Sequence, residues 1–191
     1  MFVALYGINN VGKSYHAKLL VKKLKKLGKK AVYIKFPVYN LAPTGPLINK
    51  ILRSKGKQKI SEEELQLLFV LNRYHFQSKL LSYLKRGYTV VAEDYIGTGL
   101  AWGVAKGAKL KELEAMNKFL VQEDLSILMV GKRGMSAKEE SHIHESDDEL
   151  VERCQEVLLQ LSKKRKWHLV ERQEDKEMTA DLIWKVYSKV V

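Results

Sequence analysis

The chain has 191 residues and a single cysteine, Cys154, so no internal disulfide can form and the composition fits a reducing compartment. Cys154 falls in register with Leu150, Val151, Val157, Leu158 and Leu161 on one helical face, the pattern of a buried structural thiol rather than a nucleophile. No apolar run is long enough to span a bilayer, and the opening Phe2-Val3-Ala4-Leu5-Tyr6 is too short for a signal sequence, so a cytoplasmic protein without membrane contact is expected. The only prolines are Pro37, Pro43 and Pro46, and the stretch from Val38 to Pro46 reads as a loop. Acid is scarce at one end: no Asp or Glu precedes Glu62, lysine is frequent there, and the formal charge is +12. Such a basic half attracts polyanions. No nucleic-acid module is recognisable, however, and Lys22, Lys23, Lys25 and Lys26 occupy the polar side of a helix, so a solvated face is the simpler reading and no nucleic-acid partner is required.

The stretch that organises the chain follows the first apolar run. Gly7-Ile8-Asn9-Asn10-Val11-Gly12-Lys13-Ser14 is G-x-x-x-x-G-K-S, a phosphate-binding loop. The glycines let the backbone curl so that N–H groups point at phosphate oxygens, Lys13 brings positive charge to the β- and γ-phosphates, and Ser14 is placed to hold Mg²⁺. Gly7, Asn10, Val11, Gly12, Lys13 and Ser14 are therefore candidates for binding the phosphates of ATP. The context supports the motif, with a strand before it and Ala17, Leu20, Val21, Leu24 and Leu27 at helical spacing after it.

The remainder alternates strand and helix. Gly28 caps the first helix, Ala31-Val32-Tyr33-Ile34-Lys35 reads as a second strand, and Leu47 to Leu52 as a short helix closed by Lys55-Gly56-Lys57. Ser61-Glu62-Glu63-Glu64 is a capping box that opens a long helix, with Leu65, Leu68, Phe69, Asn72, Phe76, Leu80, Leu81 and Leu84 along one side, ending at Gly87. Tyr88 to Ala92 is a third strand delivering Glu93-Asp94-Tyr95 to its C-terminal end, where open parallel sheets bind ligands. Ile96-Gly97-Thr98-Gly99 leads into a small helix with Ala101 and Trp102, and Leu110 to Leu120 forms another helix. Ser126 to Val130 and Trp167 to Val170 are the last strands. A polar stretch from Gly131 to Ser146 and a capping box at Ser146 to Glu149 lie between them, and Met178 to Val190 is the last amphipathic helix. The pattern predicts one α/β domain over residues 1–191, with a five-stranded parallel sheet covered by helices on both faces in the three-layer manner of P-loop NTPases. Residues 131–146 are the candidate lid.

A phosphate loop leaves several functions open, but the D-x-x-G and N-K-x-D motifs of GTPases are absent and a motor domain is normally longer. Four segments together narrow the choice: Gly7 to Ser14 with Ala17-Lys18-Leu19-Leu20; Phe36-Pro37; Leu67-Leu68-Phe69-Val70-Leu71-Asn72-Arg73; and Tyr95 to Trp102. In order and distance these resemble the phosphate loop, FP loop, L-F-x-x-x-R helix and D-R-Y-x-x-S-G-x-A-F segment of the thymidylate (dTMP) kinase family. The resemblance implies transfer of the γ-phosphoryl of ATP to a pyrimidine deoxynucleoside monophosphate, with Mg²⁺. It implies that Phe69 stacks on the base, that Arg73 hydrogen-bonds its edge, that Phe36 walls the pocket, and that Trp102 and Thr98 flank the sugar and base. It also implies that Glu93 serves the metal and that a lid cation such as Lys132, Arg133 or Lys138 approaches the transferred group. Homodimers are common in the family, packed through helices such as the one from Ser61 to Arg86. Without the resemblance, Phe69 fits an apolar stripe, Arg73 a surface and Trp102 the core.

The departures define alternatives. Asn9 stands where the family has an acid near the sugar, Asp94 replaces the arginine of D-R-Y, and Tyr39 is nearest to the place of a second arginine. Phosphoryl transfer to a phosphate needs cations around both anions, and Lys35, Arg73 or Lys50 are the substitutes in reach of the sequence. Asp94 has a second meaning as general base for a hydroxyl acceptor, which would make the chain a deoxynucleoside kinase. The third alternative is a nucleotide-binding protein without transfer chemistry. His142 and His144 give only a weak metal signal.

Overall fold

The computed structural model describes residues 1–54, 59–132 and 148–191. Strand β1 (Phe2–Tyr6) and strand β3 (Thr89–Glu93) are buried at every position. Alternate side chains of a strand point to opposite faces, so a strand buried throughout is covered on both sides. Strands β2 (Ala31–Lys35) and β5 (His168–Glu171) are more exposed and form the edges, and β4 (Leu125–Val130) completes the sheet. The order is β2-β3-β1-β4-β5 and every pairing is parallel. The chain runs from β1 to one side through β2 and β3, then crosses to the other through β4 and β5. The strand order thus reverses at β1, which opens a crevice beyond its C-terminal end.

Helices α1 (Lys13–Lys26) and α7 (Lys176–Ser188) pack together, α1 on β1, β2 and β3 and α7 on β5. Helix α3 (Glu62–Lys85) packs on β3 and α6 (Asp148–Arg165) on β4; α4 (Ile96–Ala105) bridges them and contacts α5 (Leu110–Met116). Helix α2 (Thr44–Leu52) lies on α3, fixed by a small apolar cluster of Ile48, Leu52 and Leu65 separate from the main core. Burying each such side chain contributes about 1.5–3 kcal/mol, enough to hold α2 in place. Cys154 is fully buried in α6, and burial pushes its thiol up to about 12, as befits a structural thiol. No helix among the described residues is long and apolar enough to cross a membrane.

The capping box at Ser61 is formed in both directions, the Glu64 amide donating to the Ser61 hydroxyl and the Ser61 amide to the Glu64 carboxylate. Three expectations change. The loop read through Pro46 ends earlier, because α2 starts at Thr44 and takes Gly45 and Pro46 into its first turn. The N–H groups of a first turn have no intrahelical partner, so proline is tolerated there. Gly97 and Gly99 lie inside α4 rather than before it. A Cβ on Gly97 would stand 2.4 Å from the Trp167 ring, and one on Gly99 would stand 2.5 Å from Arg73 Nη2, so these glycines admit neighbours. Leu81, placed on the inward side of α3 by its spacing, is 48% exposed together with Leu67 and Leu71.

Candidate active site

The phosphate loop curls at the end of β1. Gly7 has φ 146° and sits so close to β4 that a Cβ would lie 2.6 Å from the Met129 carbonyl oxygen. Gly12, with φ 104°, begins α1 without a side-chain cap, and no acid occupies the first turn. The opening amides of α1 therefore face the cavity without competition from a carboxylate, as an anion site requires. Asn9, Asn10, Gly12, Lys13 and Ser14 line that cavity, whereas Val11 is fully buried beneath the loop. Lys13 is buried, and its Nζ donates to the Gly7 and Ile8 carbonyls at 2.9 Å each and lies 3.6 Å from Asp94 Oδ1.

Ser14 Oγ donates to Glu93 Oε1 at 2.7 Å. Lys35 Nζ is 3.0 Å from the same oxygen, and the Tyr33 hydroxyl donates to Oε2. Burial pushes the Glu93 carboxyl up, but Lys35, the Tyr33 hydrogen bond and Lys13 outweigh it and hold the group below its ordinary range. A hydroxyl and an ionised carboxylate side by side are hard oxygen donors that fit Mg²⁺, which takes its remaining ligands from phosphates and water. No cluster of three or more His, Cys, Asp or Glu suited to a metal occurs among the described residues.

Asp94 occupies the left-handed region at φ 61°, a conformation that Asp and Asn tolerate. It accepts from Thr98 Oγ1 at 2.8 Å. Burial pushes its carboxyl up, Lys13 offsets part of the effect, and Glu93 adds to it. The two neighbouring acids are thus driven apart, one ionised beside Ser14 and one raised beside Lys13.

A single cavity of about 420 Å³ runs from the phosphate loop to Phe36, Phe69, Arg73, Thr98 and Trp102. Phe36 is buried edge-on against Phe76, with ring centroids 5.6 Å apart. Trp102 is 6% exposed and belongs to the main core while also lining the cavity. Arg73 is buried rather than on the surface, and burial lowers its pKa to about 10, still well above neutrality. Its Nη1 donates to Asn117 Oδ1 at 3.0 Å, while its Nε has no partner among the described residues. Asn117 is oriented in turn by donating from Nδ2 to the Leu113 carbonyl at 2.8 Å.

Sequence reasoning did not single out Tyr33, Arg53 or Asn117, which come from other elements of the chain. Asn72 carried a signal, a polar residue within an apolar stripe. It accepts from the Val38 amide at 2.7 Å and donates to the Val38 carbonyl at 3.1 Å, pinning the segment after Phe36-Pro37 to α3. Lys50 is exposed on α2 and does not line the cavity. Arg133, Lys138, His142, His144, Ser146 and the greater part of the 131–146 lid lie outside the described residues, as do Lys55, Gly56 and Lys57.

A thymidylate kinase family model matches residues 5–183. A Thermococcus kodakarensis protein named "Probable thymidylate kinase" is 35% identical over 68% of this chain and 65% of its own length. The thymidylate kinase of African swine fever virus (strain Badajoz 1971 Vero-adapted) is 30% identical over 72% of this chain and 54% of its own length. The chain thus spans about one half to two thirds of these curated relatives. A solved structure of thymidylate kinase from Candida albicans superposes with a TM-score of 0.78 over 98% of this chain and 91% of that one, at 20% identity, a likeness of fold. With the family model matched over nearly its whole length, the chain belongs to the thymidylate kinase family of phosphotransferases.

Proposed function

We propose that this chain transfers the γ-phosphoryl group of ATP, as its Mg²⁺ complex, to the phosphate of dTMP, giving ADP and dTDP. The observation that carries the reading is the continuity of the cavity, which joins a phosphate loop at one end to an aromatic ring and a buried guanidinium at the other. Two phosphorylated ligands placed end to end meet in such a space. Lys13 and the opening amides of α1 receive the phosphates of the donor nucleotide. Ser14 and Glu93 hold Mg²⁺, which when bound offsets charge on the β- and γ-phosphates. At the far end, Phe69 offers a ring face to the pyrimidine, and the buried Arg73 offers N–H groups to a carbonyl oxygen on its edge. Phe36 closes one wall, and Trp102 and Thr98 flank the acceptor with Asn9.

The test is ADP release from Mg·ATP in parallel with dTMP, dUMP, thymidine or no acceptor, using Lys13→Ala as the blank. Stimulation by dTMP and loss of turnover in Lys13→Ala are expected. Stimulation by thymidine alone would replace this reading with that of a hydroxyl-acceptor kinase using Asp94 as base, and ATP binding without turnover would leave a binding protein.

The reading extends to the surroundings of the site. The chain acts as a single domain in the cytoplasm, without a membrane or nucleic-acid partner. It pairs with a second copy through the outer side of α3, where Leu67, Leu71 and Leu81 are 46%, 45% and 48% exposed.

A further inference from the structure

Phosphoryl transfer between two phosphates sets anion against anion, and side-chain cations must offset the repulsion on both sides. Among the described residues four cations line the cavity, namely Lys13, Lys35, Arg53 and Arg73. Lys13 lies at the loop and Arg73 is turned toward Asn117 at the base end. Lys35 and Arg53 line the same cavity, and both act on one group, Tyr39. The Arg53 guanidinium lies over the Tyr39 ring at 5.1 Å, and its Nη1 also donates to Asn49 one turn earlier in α2. Burial raises the Tyr39 pKa, while Arg53 and Lys35 pull it down, so both positive charges bear on the Tyr39 hydroxyl. Lys35 Nζ, at 3.0 Å from Glu93 Oε1, sits beside the Ser14–Glu93 pair. Asp94 is engaged elsewhere, accepting from Thr98 Oγ1 at 2.8 Å and lying 3.6 Å from Lys13 Nζ.

We infer that Lys35 and Arg53, together with the Tyr39 hydroxyl, form the seat of the acceptor's phosphate. A guanidinium fork matches two phosphate oxygens, the ammonium supplies a compact charge next to the metal-binding pair, and the phenol donates one further hydrogen bond. The inference rests on the nucleotide-kinase reading above and adds how the chain tells a nucleoside monophosphate from a nucleoside.

Arg53 is the residue to change, since it is exposed at the C-terminal cap of α2 and its loss leaves the core untouched. Calorimetric titration with dTMP and with thymidine compares wild type, Arg53→Gln and Arg53→Lys, with Lys50→Gln as the control for charge on the same helix. A charge-assisted hydrogen-bond pair corresponds to roughly tenfold to hundredfold in affinity. Arg53→Gln is expected to lose that much for dTMP while thymidine binding stays within about twofold, Arg53→Lys to recover part, and Lys50→Gln to match wild type. Retention of the wild-type dTMP-to-thymidine ratio in Arg53→Gln would overturn the seat, as would a wild type that binds both ligands equally. Turnover is read separately. A wild type that binds dTMP preferentially through Arg53 but fails to phosphorylate it would overturn the proposed function and leave the seat standing.

Discussion

Arg73 has to be held before it can read a base, and Asn117 holds it. Both residues are 5% exposed, and Arg73 lines the cavity, so a guanidinium released from the Asn117 carbonyl oxygen is no longer held in one orientation toward the base site. A hydrogen bond to a charged group contributes about 1.5–3 kcal/mol when its loss leaves that group unsatisfied. Asn117→Ala is therefore expected to raise the KM for dTMP roughly tenfold or more, with the KM for ATP unchanged and kcat within a fewfold. Asn117→Asp keeps an oxygen facing Arg73 but loses the donor to the Leu113 carbonyl, and is expected to restore part of the loss. Equal losses in both KM values, with no rescue by Asp, would reduce Asn117 to a packing residue. His16 governs acid stability in a different way. Its Nδ1 is buried without a partner among the described residues, and burial, with Arg172 and Lys176 nearby, lowers its pKa from 6.5 to about 4. Between those values the unfolded chain takes up a proton that the folded chain refuses, so stability falls as pH drops from 6.5 toward 4, at up to about 1.4 kcal/mol per pH unit. Urea midpoints measured across that window should show a shallower slope in His16→Gln than in wild type; parallel slopes would remove His16 as the cause.

Elements differ in how much of themselves the sequence reveals, and the difference is one of range. The turn from β1 into α1 was legible because its chemistry lies within eight consecutive residues, Gly7 to Ser14. Phe69 and Arg73 stand out only through the resemblance of Leu67 to Arg73 to the family's helix, since alone the one fits an apolar stripe and the other a surface; both line the cavity. Helix α4 is read from the sequence as starting too late, since two glycines within three residues argue for a turn when their partners are unseen. Those partners are the Trp167 ring, 70 residues away, and the Arg73 guanidinium, which need space that only a missing side chain leaves. The loop before α2 was overextended because Pro46 reads as a breaker until it falls in a first turn. Arg53 reaches the cavity from the end of α2 and Asn117 reaches Arg73 from the end of α5, and nothing local marks them. Even Asn72, an amide in an apolar stripe, announced only that something polar faces it, not that the Val38 backbone does.

At the scale of the whole molecule, α3 is the element that faces two ways. Its inner side carries Arg73, Phe76 and Leu80 into the protein, while Leu67, Leu71, Tyr74, Ser78 and Leu81 recur at alternating spacings of four and three along another side. That alternation is the seam of paired helices, and three of its five positions are leucines 45–48% exposed. Phe119, 75% exposed, is tied to the same helix through its carbonyl, which accepts from Gln77 at 3.4 Å. A surface so basic elsewhere would keep copies apart by charge repulsion, so an apolar strip without lysine is the place where they can meet. Wild type is expected to sediment at twice its 22.0 kDa mass, and Leu71→Glu, which places a carboxylate in the middle of the seam, at the single mass. Because α3 also carries Phe69 and Arg73, the separated chain should bind dTMP more weakly while its affinity for ATP, set by the loop after β1, stays the same. A wild type that sediments at the single mass at tens of micromolar would assign the leucine seam to another partner.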